Sequence, residues 1–337
     1  MAETLRSIAG SDLKSPEQFL RDVVDPCRPV VLRGLVKDWP IVAAGRLSAS
    51  AVLEHLEPLD AGGDIEAFFG APAIAGKYFY TEDLKGFNFE RRRMKFRAAL
   101  ESIVSSLGQP GLPSVYVGSV PTNDFLPGFA ALNPMPLLNP GIGPRVWIGH
   151  AANVSSHYDT VDNLACVAAG TRRFTLFAPQ LIDKLYVGPI DNTMAGQPVS
   201  LAASSASDKD RFPLFEQVKD QSLVAELEPG DALYLPKLWW HRVESTAPFN
   251  VLVNYWWDAF RSGPDAPYTS MLLSMITIAE RPAVERQAWK AFFDHYVFRS
   301  QGHPLAHLPV EQHGLLGSLK ENYGKIRARV MHLLRGG

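Results

Sequence analysis

The distribution of apolar residues along this chain changes character twice. Up to residue 113, short helical and strand-like runs alternate. Ser15 and Pro16 open a run in which Phe19, Leu20, Val23 and Val24 fall on one face, the spacing of a short helix over 16–24 with Ser15 as its cap. Pro29-Val30-Val31-Leu32-Arg33-Gly34 follows as a short buried strand closed by a glycine. Residues 47–56 and 96–107 carry apolar positions three and four apart and predict helices, and 77–80 predicts a strand.

From residue 114 the pattern becomes a series of short β runs separated by turn residues. They cover 114–118, 145–149, 163–169 and 174–177, and after a polar insertion (200–211) they resume at 223–227, 232–235, 241–245 and 250–256. Many short strands at close spacing predict a mainly β domain, with a double-stranded jelly roll as the leading candidate. From residue 268 the spacing is helical again, through Met271, Leu272, Met275, Ile276 and Ala279, then Val284, Ala288, Ala291, Phe292 and His295, then an amphipathic run over 315–334. The expected organisation is therefore α/β elements over 1–113 packing on a barrel, a jelly-roll core over 114–260, and a helical region over 261–337. That last region is expected to cap the barrel or to pair two copies of the chain as a homodimer.

Composition narrows the function. Of 337 residues, 46% are hydrophobic and 20% charged, the profile of an ordinary globular protein. A net charge of −2 argues against a nucleic-acid partner. The N-terminus has no apolar core of signal-peptide length, and the longest apolar stretch, Met271 to Ala279, is broken by Ser274 and Thr277 and is too short for a bilayer. Cys27 and Cys166 are far apart and in no metal-binding spacing, as expected of thiols in a reducing compartment. A cytoplasmic protein with no membrane partner is the expectation.

Candidate chemistry sits in two fragments, His157-Tyr158-Asp159 and Trp239-Trp240-His241. On a strand His157 and Asp159 point to one face. Two imidazoles and a carboxylate are the ligand set of a facial triad for Fe(II), with positions left open for a co-substrate and dioxygen. Alone, the first fragment reads as a surface loop. His241 lies in an aromatic-rich stretch after the turn Pro229-Gly230-Asp231, and its ring nitrogens need a partner there, either a metal or a backbone carbonyl. His150 is either a support for these ligands or a loop residue. The aromatic run Tyr255-Trp256-Trp257 reads as core packing. Arg91-Arg92-Arg93 with Lys95 reads as a solvated face ahead of a helix, or as a substrate-docking patch.

Several further pieces stand in a fixed order around these fragments. They are Ser156-His157-Tyr158-Asp159, Asn163, Gly170-Thr171-Arg172-Arg173-Phe174-Thr175-Leu176-Phe177-Ala178-Pro179, Pro229 through Pro236, Trp239-Trp240-His241 and Val253-Asn254-Tyr255-Trp256. With them, residues 116–257 resemble the cupin-like JmjC family of Fe(II)/2-oxoglutarate-dependent oxygenases. The resemblance is greatest to the asparaginyl hydroxylase branch that acts on hypoxia-inducible factor. Pro29 through Gly34 and Trp39-Pro40 resemble the family's entry segment.

The resemblance implies His157, Asp159 and His241 as iron ligands. It implies Tyr116 on the 2-oxoglutarate carboxylate, Asn163 and Asn254 lining the co-substrate pocket, and Ser155 as the hydroxyl ahead of the first ligand. Arg172 stands where that branch has a lysine paired with the far carboxylate of 2-oxoglutarate. Either Arg172 takes over that pairing in bidentate fashion or it is an exposed strand cation, with Arg173 on the opposite face. The expected activity is hydroxylation of a protein or peptide side chain using Fe(II) and 2-oxoglutarate. The alternatives are a small-molecule hydroxylase of the same chemistry, a cupin metalloenzyme using another metal, or a binding module with a degenerate site.

Overall fold

The computed structural model describes residues 5–336 apart from 110, 195, 205–208 and 262. The described residues divide into a unit over residues 1–259 and a second over residues 260–337. Twelve strands among them form one continuous hydrogen-bonded system: β1 (Arg6–Ala9), β2 (Val30–Arg33), β3 (Asp64–Gly70), β4 (Lys77–Tyr78), β5 (Phe89–Lys95), β6 (Ser114–Pro121), β7 (Arg145–His157), β8 (Asp162–Ala169), β9 (Arg172–Phe177), β10 (Leu223–Leu227), β11 (Ala232–Leu235) and β12 (Trp240–Trp257).

Two long strands convert this system into a double-stranded β-helix. The C-terminal half of β12 pairs with β8 and with the first half of β7, and its N-terminal half pairs with β9 and the second half of β7. One layer therefore runs β1-β2-β11-β8-β12-β7-β6-β3-β5 and the other runs β10-β9-β12-β7-β4. Val31, Ala165, Val167, Phe174, Leu176, Ala225, Leu233, Leu235 and Val243 fill the space between the layers. Leu164, Cys166 and Ala168 point the other way, into a core shared with Ile41, Val42, Val52, Leu56, Phe96, Leu100 and Ile103 of the flanking helices. β8 is accordingly buried at every position, as a strand covered on both faces must be.

The N-terminal segment does more than pack on the barrel. β1 and β2 extend the large layer past β11, and β3 and β5 extend it past β6. The helix expected over 47–56 is present as Ala49–Leu56, capped by Ser48, whose hydroxyl accepts from the Ala51 N–H, and a further helix, Pro40–Leu47, precedes it. The helix expected over 16–24 begins at Pro16 under its Ser15 cap and widens into a π-type turn over Leu20–Val24. In the second unit, helices Pro267–Ile278, Ala283–Phe293 and Leu319–Leu334 leave apolar side chains exposed, Ile276 and Val284 among them. No helix among the described residues is long and apolar enough to cross a membrane.

Gly149 is where fold and site meet. It lies opposite Tyr116 in the β6–β7 pairing, and a Cβ there would sit 2.7 Å from the Val115 carbonyl oxygen and 3.0 Å from the Tyr116 Cα. Nothing in that crowding is a flexible side-chain end, so β6 itself would have to move. Gly149→Ala is expected to lose about 1–3 kcal/mol of stability in urea unfolding through overpacking. An unchanged midpoint would show that β6 tolerates displacement.

Candidate active site

The pairing of β7 with β12 sets His157 directly opposite His241. Their rings stand 4.3 Å apart, tilted by 53°. The His157 Nδ1 donates to the Ser155 carbonyl at 2.8 Å and the His241 Nδ1 donates to the Trp239 carbonyl at 2.9 Å. A carbonyl can only accept, so each Nδ1 carries a proton, and in the neutral ring it is the Nε2 that offers a lone pair. Asp159 lies two residues past the end of β7, and its Oδ2 is 3.8 Å from the His241 Nε2. One ligand atom from each of the three residues falls within 4.8 Å of the others, the spacing of a metal-binding group. The donor set fits a divalent metal held on one face.

Burial, and then the facing His157, push the His241 imidazole down to about 4, against the opposing pull of Asp159 and the Trp239 carbonyl. His241 is therefore neutral near pH 7, and its approach to Asp159 is not an ion pair there. Neutral imidazole is the ligand form a metal needs.

Asp159 is held by a chain of donors. Its Oδ2 accepts from the Trp256 Nε1 at 3.2 Å and from the Asn163 Nδ2 at 3.3 Å. The Asn163 Oδ1 accepts from the Asn254 Nδ2 at 3.2 Å, and the Asn254 Oδ1 accepts from the Trp147 Nε1 at 2.7 Å. An indole N–H can only donate and a carboxylate can only accept, so the two ends fix how both amides point. Trp147 and Trp256 pack edge to face at 5.8 Å. The run Tyr255-Trp256-Trp257, read from sequence as core packing, thus supplies one indole that touches a candidate ligand.

These residues open onto a cavity of about 400 Å³, lined by His157, Asp159, His241, Tyr116, Asn163, Arg172 and Asn254 together with Trp147, Trp256 and Phe68. Arg172 is 2% exposed at the start of β9, so the reading of it as an exposed strand cation does not hold. Its guanidinium lies beside the Tyr116 hydroxyl, while its Nε and Nη2 find no partner among the described residues. Burial pushes the Arg172 guanidinium down and the Tyr116 phenol up from their ordinary values. Arginine keeps its proton regardless, so a positive charge with unspent donors faces this cavity.

Ser155 is absent from the lining. From His241 to Val243 on β12, the partner positions on β7 run from His157 to Val154, one residue more. This β-bulge turns Val154 toward the cavity and leaves the Ser155 hydroxyl donating to the Tyr78 carbonyl at 3.3 Å. The role that the resemblance implies for Ser155 therefore has no counterpart in the cavity lining. His150 is structural: its Nδ1 accepts the Val115 N–H at 2.8 Å and its Nε2 faces the Ile103 carbonyl at 3.1 Å. Sequence reasoning missed Trp147 on β7, and it missed Phe68 and Phe89 because β3 and β5 were not read as strands.

A double-stranded β-helix that carries two histidines and one aspartate at the mouth of its barrel defines the cupin-like class of JmjC oxygenases. The pattern of the family described as "cupin-like domain" matches residues 16–263, and the chain belongs to this family, whose enzymes use Fe(II) and 2-oxoglutarate. The chain is 26% identical over 271 residues to the human bifunctional peptidase and (3S)-lysyl hydroxylase JMJD7, covering 72% of this chain and 81% of that protein. It is 27% identical over 257 residues to the Arabidopsis thaliana lysine-specific demethylase JMJ30, covering 72% of this chain and 53% of that one. A match of 39% over 115 residues to the Drosophila melanogaster Jumonji C domain-containing protein 5 covers 34% of this chain and spans only 27% of the fly protein.

The neutral state of His241 has a consequence for the metal-free protein. Unfolding returns its imidazole to the ordinary value of 6.5, so between pH 6.5 and about 4 the unfolded chain binds the additional proton. Stability therefore falls as pH falls through that window. Melting temperatures of the metal-free protein should decline from pH 6.5 toward 4, and His241→Gln should decline less steeply. Parallel curves for the two proteins would remove His241 as a source of the slope.

Proposed function

We propose that this chain is an Fe(II)- and 2-oxoglutarate-dependent hydroxylase whose metal is held by His157, Asp159 and His241 and whose co-substrate is held by Arg172 and Tyr116. The observation that carries the reading is Arg172, a buried cation with two unpaired donor atoms in the same cavity as the triad. An unpaired buried charge is costly, and a dicarboxylate reaching from the metal to the guanidinium would compensate it. Bound together, Fe(II) and 2-oxoglutarate supply the oxidising power for inserting one oxygen atom of O2 into a C–H bond, with succinate and CO2 as co-products.

The residues of the chain provide the setting for that chemistry. Arg172 and the Tyr116 hydroxyl bind the far carboxylate, an arrangement suited to the planar fork of arginine. His157 and His241 keep their Nε2 lone pairs directed inward through the two carbonyls that hold their Nδ1 protons. Trp256 and Asn163 restrain the Asp159 carboxylate. Phe174, Val243, Val154 and Leu252 give the cavity an apolar wall that excludes water.

For the substrate we propose a protein or peptide side chain. The names of JMJD7 and JMJ30, a lysyl hydroxylase and a lysine-specific demethylase, support it. A second reading, a small-molecule hydroxylase, is favoured by the cavity volume, which lies within the range of small-ligand sites.

Calorimetric titration of 2-oxoglutarate into Mn(II)-loaded protein tests the co-substrate assignment. Arg172→Gln should weaken binding about 100-fold, by loss of a buried charge pair, and Arg172→Lys should recover part of it. Equal affinities in all three proteins would sink the assignment. His157→Ala and Asp159→Ala should abolish substrate-coupled succinate formation, and undiminished turnover in either would refute the triad.

A further inference from the structure

The basic run Arg91-Arg92-Arg93 lies on β5, the edge strand of the large layer, and strand alternation splits it. Arg92 turns to one face, where it covers Phe69 at 4.3 Å and pairs with Glu90. Arg91 turns to the other, opposite Phe68, which is itself opposite Tyr116 on β6. The register thus lays out a row, Tyr116, Phe68, Arg91, leading from the co-substrate cavity to the edge of the sheet.

Arg91 is seated among aromatic faces. Its guanidinium carbon is 5.5 Å from the centre of Phe68, 5.0 Å from Phe87 and 5.9 Å from Phe89. Its Nη1 is 3.8 Å from the Glu66 Oε1. Glu66, Phe68 and Phe89 also line the cavity. Three π faces around one carboxylate make a receptor for an organic cation. The present occupant is held mainly by the rings, since its ion pair is long and both side chains are two-fifths to one-half exposed. Such a pair contributes little and is exchanged at small cost.

We propose that Glu66, Phe68, Phe87 and Phe89 form a seat for a lysine or arginine side chain of a peptide substrate, and that Arg91 is an internal stand-in which that side chain displaces. The proposal rests on the reading of the cavity as a peptide hydroxylation site and deepens it. Glu66 and the three rings set specificity for a basic residue at the mouth. Arg91 keeps the seat filled when substrate is absent and competes with weaker cations for it.

The test uses fluorescein-labelled Gly/Ser nonapeptides with arginine, lysine, norleucine or glutamate at the centre, and fluorescence anisotropy with the full chain. Arginine and lysine peptides should bind about fivefold or more tightly than norleucine, the range of one exposed cation–π site plus a carboxylate. Arg91→Ala should strengthen the basic peptides severalfold by emptying the seat, and Glu66→Gln should weaken them. Preference for the glutamate peptide, its loss in Arg91→Ala, or no binding of any peptide to wild type and Arg91→Ala alike would overturn the proposal. Arg91 lies outside the cavity lining, and 2-oxoglutarate calorimetry on Arg91→Ala should be unchanged. Failure of that calorimetry in wild type would count instead against the co-substrate reading.

Discussion

The antiparallel pairing of β7 with β12 is the constraint from which the rest of this molecule follows. It is a long ladder, and each strand serves both layers, so the jelly roll closes only if these two strands keep their register. That register sets His157 against His241. The bulge inside the ladder brings Val154 into the cavity in place of Ser155 and leaves Asp159 beyond the strand end, where a carboxylate can approach both imidazoles. Slippage by a single residue would turn one histidine out of the cavity, since side chains alternate faces along a strand.

Around this ladder the site is stabilised by polar groups satisfied in pairs, with one exception. The imidazoles, the amides and the carboxylate each have partners supplied by the protein. Among the described residues that line the cavity, Arg172 keeps donors in reserve, and its neighbours there are the residues that a dicarboxylate spanning the site would touch. A buried cation left short of partners marks where an anionic ligand completes the structure.

Much of this was legible in the sequence because ligand residues and turn residues carry local signals. The strands around His241 and the turn at Gly230 follow from composition and alternation, whereas Arg172 is marked by the family resemblance, which leaves it open between co-substrate pairing and an exposed strand cation. Three features were not legible. The bulge beside Ser155 depends on how β7 meets β12, and no residue in Val154-Ser155-Ser156 announces it. β3 and β5 are short and rich in charge and aromatics, so the basic run on β5 looks like a solvated segment until Phe68, Phe87 and Phe89 are seen beneath it. The donor chain through Trp147, Asn254 and Asn163 joins three strands distant in sequence, and only their pairing reveals it.

That donor chain also has a polarity. Every hydrogen in it is passed the same way, from indole to amide to amide to carboxylate, and a second indole delivers its hydrogen to the same oxygen. Asp159 is thus the sole terminus, a position that only a pure acceptor can occupy. An asparagine there would match aspartate in shape but would either point its own N–H groups at two donors or meet them with its one oxygen, and in both cases it would bring no negative charge. The electron-rich end of this network is built into the geometry before any ion arrives, and the barrel is in this sense pre-charged for a cation.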